Sequence, residues 1–313
     1  MSSTTGKAET SAPPVAGYVL GATGALLFAS KSIIIKLAYD VGVDPETLLA
    51  LRMVFSLPFY LVIGAIALVR MRKKGEALPS AGLVLRCALI GALGYWFASY
   101  TDFLGLQYIS ASFERLILFT YPLFVVLIGA ALFGYPLRAR ALLAFAVSYC
   151  GLALFFVESF QTGGTDTLKG AGFVVLSALS FALYQLLASQ QLRSVGSALF
   201  TCIAMTSASL VSLAQFALVR PVSALMVSYE VLTLALMMAI GATVLPTFLM
   251  NAALKRITPA ANAMISTASP VATMALAFLF LGESATMIEV AGAALVLAGI
   301  GWFTIADARS RAR

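Results

Sequence analysis

Histidine is absent from all 313 residues. With it go imidazole metal sites, imidazole general bases and imidazole proton relays. Charge is scarce as well. Asp, Glu, Lys and Arg make up 11% of the chain, against roughly 25% in a soluble domain, which excludes a water-exposed globule. The three cysteines, Cys87, Cys150 and Cys202, stand singly inside apolar runs and give neither a CxxC motif nor a disulfide framework. No metal or other cofactor is expected. The formal charge of +7 sits in short loops between apolar runs, which membrane topology explains better than a nucleic-acid partner.

What the chain has instead is apolar length. Hydrophobic residues make up 61% of it, and the mean hydropathy is +0.98. The apolar runs are about twenty residues long, enough to cross ~30 Å of hydrocarbon as helix. The expected fold is therefore all-α: a polytopic membrane protein with ten transmembrane helices. The predicted spans are 15–38, 47–69, 81–103, 111–133, 139–157, 170–189, 197–219, 231–254, 259–281 and 289–305. The polar, Ser/Thr/Pro-rich stretch 1–14 reads as a disordered tail. No cleaved signal is expected, because the first apolar run is too long for a secretory signal and lacks a basic flank.

The chain also repeats itself. A shift of 148 lays Leu106 on Leu254, Ile109 on Ile257, Ile117 on Ile265, Pro122 on Pro270, Gly134 on Gly282 and Gly151 on Gly299. Matched prolines and glycines fix backbone geometry, so they weigh more than matched aliphatics. The implied organisation is a first five-helix repeat (15–157), an external linker (158–169) containing Gly163 and Gly164, a second repeat (170–305) and a basic cytoplasmic tail (306–313).

Lys and Arg set the orientation. Lys7, Arg70, Arg72, Lys73, Lys74, Arg138, Arg140, Arg193, Lys255, Arg256, Arg309, Arg311 and Arg313 fall on one side, and only Lys169 and Arg220 on the other. That bias places the first set, with both termini, in the cytoplasm of a bacterial inner membrane. Five spans per repeat forces the second copy to enter from the opposite side. The halves are then inverted, an architecture of secondary transporters.

Two segments carry a family resemblance: "LGLQYISASFERLILFTYPLFVVLIGAALFGYPLRARALLAFAVSYCGLALFF" and "AALKRITPAANAMISTASPVATMALAFLFLGESATMIEVAGAALVLAGIGWF". The chain resembles the drug/metabolite transporter superfamily, and within it the ten-helix exporters of the EamA type. Ser110, Ala111, Pro122, Leu281, Gly282 and Glu283 fit the family pattern, whereas Tyr135 stands where the first copy often carries an acid. The aromatic third span is similar to that of aromatic amino-acid exporters of the YddG type. The resemblance implies a central cavity bounded mainly by helices 1, 3, 4, 6, 8 and 9, with helices 5 and 10 as scaffold.

Candidate substrate-binding residues follow from polar or aromatic side chains set among apolar ones. In the third span Trp96, Ser99 and Tyr100 share a face at 100° per residue, with Tyr95 beside it. They suit stacking of a flat side chain, or else an interfacial aromatic belt, the reading preferred for Tyr100. Phe181, Tyr184 and Gln185 share a face of the sixth span, as cavity lining or as interhelical glue. Thr247 and Asn251 continue a stripe from Thr243 in the eighth, with Met250 adjacent. Lys31, deep in the first span, either attracts a substrate carboxylate or snorkels.

Glu114 and Arg115 point ~100° apart and are not expected to pair; Arg115 with Asp102 is the plainer pairing. Arg52 reads as an outer-end anchor. Pro122, Pro246 and Pro270 are candidate hinges. No acid is expected near mid-membrane, which argues against obligatory proton coupling.

The functional expectation is an exporter of amino acids with aromatic or bulky apolar side chains, and of related small metabolites. It would work by alternating access, as a facilitator, in a monomer or weak dimer embedded in the lipid bilayer. A nucleotide-sugar or sugar-phosphate exchanger is the first rival, since such cargo needs two or more cations converging in the cavity. An intramembrane lipid-modifying enzyme is the remote one, because no acid cluster is evident to hold a metal. A channel is disfavoured by the inverted repeat.

Overall fold

The computed structural model describes residues 14–134, 139–257, 268–283 and 286–311. Tyr135, Arg138, the 1–13 tail and the opening of the ninth span at 259–267 lie outside them. Among the described residues every regular element is a helix. We number the helices by span: α1 Pro14–Asp40, α2 Pro45–Lys73, α3 Ala81–Leu106, α4 Ala111–Phe133, α7 Ser197–Val219, α8 Tyr229–Leu254, α9 Ala268–Leu281 and α10 Met287–Arg311. Helices α5 (139–163) and α6 (165–195) form one run, Ala139–Val195, broken by the non-helical Gly164 at φ 57°, ψ −133°. Seven helices are long and apolar enough to cross a membrane, and shorter apolar stretches follow at Ala272–Leu281 and Val290–Gly299.

The segment 158–169, expected as a loop, is thus helical on both sides of a single residue. Its glycine supplies the reversal that a longer linker would otherwise make, because only glycine enters this backbone region without strain.

Helix ends follow local chemistry. Asp44 caps α2 by accepting from the Thr47 amide (2.9 Å) and hydroxyl (2.7 Å), with Pro45 next in line, a residue already fit for a first helical turn. Ser80 caps α3 through Leu83 N–H, and Ser228 caps α8 through Val231 N–H. Those serines are 148 apart, as are Gly134 and Gly282, which follow α4 and α9 at φ 66° and 65°.

The repeat extends to irregularities. Helix α3 loosens into a π turn over Ala92–Phe97 and α8 into one over Ile240–Val244, segments that begin 148 residues apart. A π turn inserts an extra residue and rotates all that follows. Neighbouring side chains bond the loosened α3 backbone: Ser180 Oγ donates to Leu93 O (2.8 Å) and Ser177 Oγ to Ala98 O (2.7 Å).

The two copies meet on a seam where residues face their own counterparts. Helices α5 and α10 pack together, and Ser148 Oγ donates to the carbonyl of Val296, its mate under the shift of 148. Three residues further along α5, Gly151 presses on Gly292, four residues back along α10, leaving no room for a Cβ. Progress in opposite directions from a residue–mate contact makes the pair antiparallel about a two-fold axis, as inversion requires. The molecule is an all-α membrane protein of ten helices in two inverted five-helix repeats.

Candidate functional site

Between the repeats lies a cavity whose empty space, counted together with the open solvent at its mouth, is about 660 Å³. Helices α1, α3, α4, α6, α8 and α9 line it, and among the described residues none of α5 or α10 is part of the lining. The wall is mostly apolar and aromatic, with Phe28, Tyr95, Phe119, Tyr121 and Phe181 among its residues; Lys31, Arg115, Ser99, Ser177 and Ser269 supply polar groups. Tyr121 and Ser269 are repeat mates and stand just before Pro122 and Pro270. The cavity therefore lies across the same two-fold as the seam.

Its aromatic side is held by chains of ring contacts. Phe181 meets Tyr121 edge-on (5.1 Å between centroids) and stacks on Tyr184 (5.6 Å). Tyr184 in turn sits edge-on to Tyr95 (4.9 Å) and donates its hydroxyl to Tyr95 Oη at 3.0 Å. Gly94 makes this possible, since any Cβ there would collide with the Tyr184 ring.

Helix α4 is interrupted at the cavity. Its first segment ends at Leu118, Phe119 and Thr120 form a turn, and helix resumes at Tyr121 with Pro122 in second place. Proline cannot donate to the preceding turn and so fixes the restart. Pro246 similarly follows the π turn of α8, and Pro270 is the third residue of the described α9.

Behind the polar side lies a buried charged cluster. Lys31 Nζ pairs with Asp102 Oδ2 at 2.5 Å. Arg115 Nη2 donates to Ser32 Oγ (2.6 Å) and to the Phe28 carbonyl (3.0 Å), and Ser32 donates to Glu114 Oε2 at 2.6 Å. Arg115 Nε stands 3.8 Å from Glu114 Oε2. Arg52 Nη2 donates to Ser99 Oγ (3.1 Å), and its guanidinium lies over the Phe103 ring.

These pairings correct three expectations. Asp102 binds Lys31 rather than Arg115. Glu114 and Arg115 do associate, because both curl back to Ser32 on α1 and so offset their angular separation. Arg52 is 3% exposed, not an outer anchor, and Asp102 and Glu114 (1% and 0% exposed) are acids fully inside the bundle.

Of the candidate binding residues, Lys31, Tyr95, Ser99, Phe181 and Met250 border the cavity. The others are placed differently. Trp96 is not among the lining residues; it donates to Gln215 Oε1 on α7 at 2.6 Å. The face shared with Ser99 presumed an unbroken α-helix, and the π turn rotates the two apart. Tyr184 is a buried support for Tyr95. Thr247 Oγ1 bonds the Tyr60 hydroxyl at 3.0 Å, and Asn251 Nδ2 donates to Thr201 Oγ1 at 2.7 Å. These two join α8 to α2 and α7, the structural alternative for a polar stripe. Gln185 is buried at 9% exposure. Arg115, Ser269 and the rings of Phe28, Phe119 and Tyr121 were not singled out as lining by the sequence. The break beside Pro122 was the available signal for the last two.

At the other end of α4, Glu283 accepts from Ala111 N–H (2.9 Å), Ser112 N–H (3.3 Å) and Ser112 Oγ (2.8 Å). A carboxylate at a helix N-terminus is favoured by the dipole and by unsatisfied amides. It ties the end of α9 to the start of α4 across the repeats.

A membrane-embedded cavity on a two-fold between inverted repeats, lined by interrupted helices, defines a transporter. The chain belongs to the EamA-like transporter family, which it matches twice, over residues 15–157 and 168–305. It is 30% identical over 292 residues to the uncharacterized transporter YcbK of Bacillus subtilis (strain 168), covering 88% of this chain and 89% of that one. A solved crystal structure of an 18% identical protein superposes with a TM-score of 0.64, covering 94% of this chain and 98% of the other. At that identity the likeness shows the fold alone. The protein is a transporter of small molecules, not an enzyme.

Proposed function

We propose that the chain exports amino acids with aromatic or bulky apolar side chains, and related small metabolites, across a bacterial inner membrane. The observation that carries this reading is the cavity wall, which combines the rings of Tyr95, Phe119, Tyr121 and Phe181 with Lys31, Arg115 and three serines. Stacking would hold the side chain and hydrogen bonds the polar end, which suits broad selection at modest affinity. Both termini would be cytoplasmic. Alternating access would use Pro122, Pro246 and Pro270 as flexing points, each beside an irregular turn or at a helix start. Facilitated movement is the energetics we favour, because Lys31 holds Asp102 Oδ2 and Ser32 donates to Glu114 Oε2.

A sugar-phosphate exchanger is the second reading, favoured by the two cations on one wall. It is the weaker one, since Asp102 holds Lys31 at 2.5 Å and leaves Arg115 alone for a phosphate that needs two or more converging cations. Counterflow in proteoliposomes with labelled phenylalanine and leucine, with and without a pH gradient, tests both readings. Uptake of either amino acid, competed by the other and not by a hexose phosphate, is expected. Competition by the phosphate alone would reverse the order of the two readings. Uptake only under a proton gradient would reject facilitation.

A further inference from the structure

We infer that the polar region of the cavity is a monocarboxylate site formed by Arg115 and Ser269, and that a substrate's amino group contributes little to binding. This rests on the reading of the cavity as the cargo site.

Arg115 is 2% exposed and only half used. Its Nη2 serves Ser32 and Phe28, whereas the buried Nε makes no hydrogen bond. At 3.8 Å from Glu114, Nε is beyond hydrogen-bond reach. Ser269, also 2% exposed, carries a buried hydroxyl with no partner. Both residues border the cavity. Buried polar atoms are ordinarily satisfied. Of the five unpartnered ones among the described residues, Arg52 Nε, Asp102 Oδ1, Glu114 Oε1, Arg115 Nε and Ser269 Oγ, the last two belong to residues that line the cavity, and both are donors awaiting an acceptor. A carboxylate has two oxygens and accepts from a guanidinium and a hydroxyl together.

Charge points the same way. Three cations with 2–6% exposure surround this region, Lys31, Arg52 and Arg115, against two buried carboxylates, Asp102 and Glu114. Arg52 makes its hydrogen bond to neutral Ser99, itself a lining residue. The buried cations thus outnumber the buried carboxylates by at least one, and a buried excess charge draws a counter-ion. A carboxylate supplies such a counter-charge. Among the described lining residues there is no acid, so an ammonium meets no carboxylate on the lining itself; Asp102 and Glu114 stand one layer back, beside Lys31 and Arg115. Lys31 is not the reader of the carboxylate, because Asp102 already holds it. The ligand class is a small monocarboxylate bearing a flat or bulky apolar group, with or without an α-amine.

The test uses the purified full-length protein and four probes of similar shape: 3-phenylpropionate, L-phenylalanine, 2-phenylethylamine and L-phenylalaninamide. Binding is read by thermal shift, and transport by counterflow in proteoliposomes. The two carboxylates should bind within about threefold of each other, and the two amines at least about tenfold more weakly, as expected for loss of a charge-assisted bond. Ser269→Ala leaves the hydrogen bonds described above intact. It should weaken both carboxylates by ~3–10-fold and leave the amines unmoved. Amines that bind as tightly as the acids, binding by none of the four, or a Ser269→Ala protein with unchanged carboxylate affinity would each overturn the site. Carboxylate binding without counterflow would overturn the transport reading and leave the site standing. Phenylalanine counterflow competed equally by 2-phenylethylamine would do the reverse.

Discussion

Lys31 and Asp102 illustrate what a single buried charge means inside this bundle. They bond at 2.5 Å with side-chain exposures of 8% and 1%, so neither has water to turn to if the other is lost. Removing one member of such a pair costs ~3–5 kcal/mol, whereas replacing both by apolar residues is often close to neutral. Lys31→Met should thus lower the unfolding temperature of the purified protein, and adding Asp102→Leu should recover most of the loss. Additive losses in the double variant would mean that the two residues do not act as a pair. The sequence showed Lys31 to be out of place in an apolar run but could not show its partner. The two are 71 residues apart, and helical periodicity assigns a face, not a neighbour. The same limit misdirected Arg115, whose orphan nitrogen appears only once α1 is packed beside α4.

At the scale of elements, caps and breaks carry the fold's local logic. Asp44 caps α2 and also meets Arg220 across the bundle end at 3.4 Å. Partial burial works against its carboxylate, but the Thr47 amide and hydroxyl, a hydrogen bond with Glu46 and the charge of Arg220 outweigh it and hold its pKa below the usual carboxylate value. The depressed folded-state pKa fixes the sign. The stabilisation is complete above the unfolded-state pKa and is lost as pH falls through the folded one. Asp44→Asn keeps a good cap without the titrating group, so thermal unfolding scanned from neutral to acid pH should show a shallower acid limb. An unchanged limb would place the acid sensitivity elsewhere. Glu283 offers a parallel check. Glu283→Ala removes the acceptor of three donors at the start of α4 and should cost ~1–3 kcal/mol, read as a lower unfolding temperature.

The sequence made some of these elements plain and hid others. Serine caps, paired glycines and the prolines announce themselves because each residue type is suited to its backbone. The π turns did not: Ala92–Phe97 contains no residue that demands one, and its presence is what sent Trp96 to Gln215 rather than to the cavity. The helical character of 158–169 was hidden for the opposite reason. Adjacent glycines read as a loop, yet one of them is enough for the reversal.

For the whole molecule, duplication with inversion was readable because a shift of 148 aligns geometry-fixing residues, and it predicts opposite fates for matched positions. Lys74 and Val222 are repeat mates and both are exposed. In a variant with Cys87, Cys150 and Cys202 replaced, Lys74→Cys should react with a membrane-impermeant maleimide only from the cytoplasmic face, and Val222→Cys only from the outside. Labelling of both from one face would contradict the inverted topology. The helices that frame the cavity were legible through the family resemblance, whereas the side chains that reach it depended on packing.

The contact of Ser148 with Val296 has one more consequence. A joint in which each surface meets its own inverted likeness needs no covalent tether to find its register. Two separately encoded fragments, parted at Gly164 and produced in the same cell, should therefore co-purify as a stoichiometric complex through one affinity tag. Bulky residues in place of Gly151 and Gly292 should leave each fragment inserted in the membrane but unable to retrieve the other.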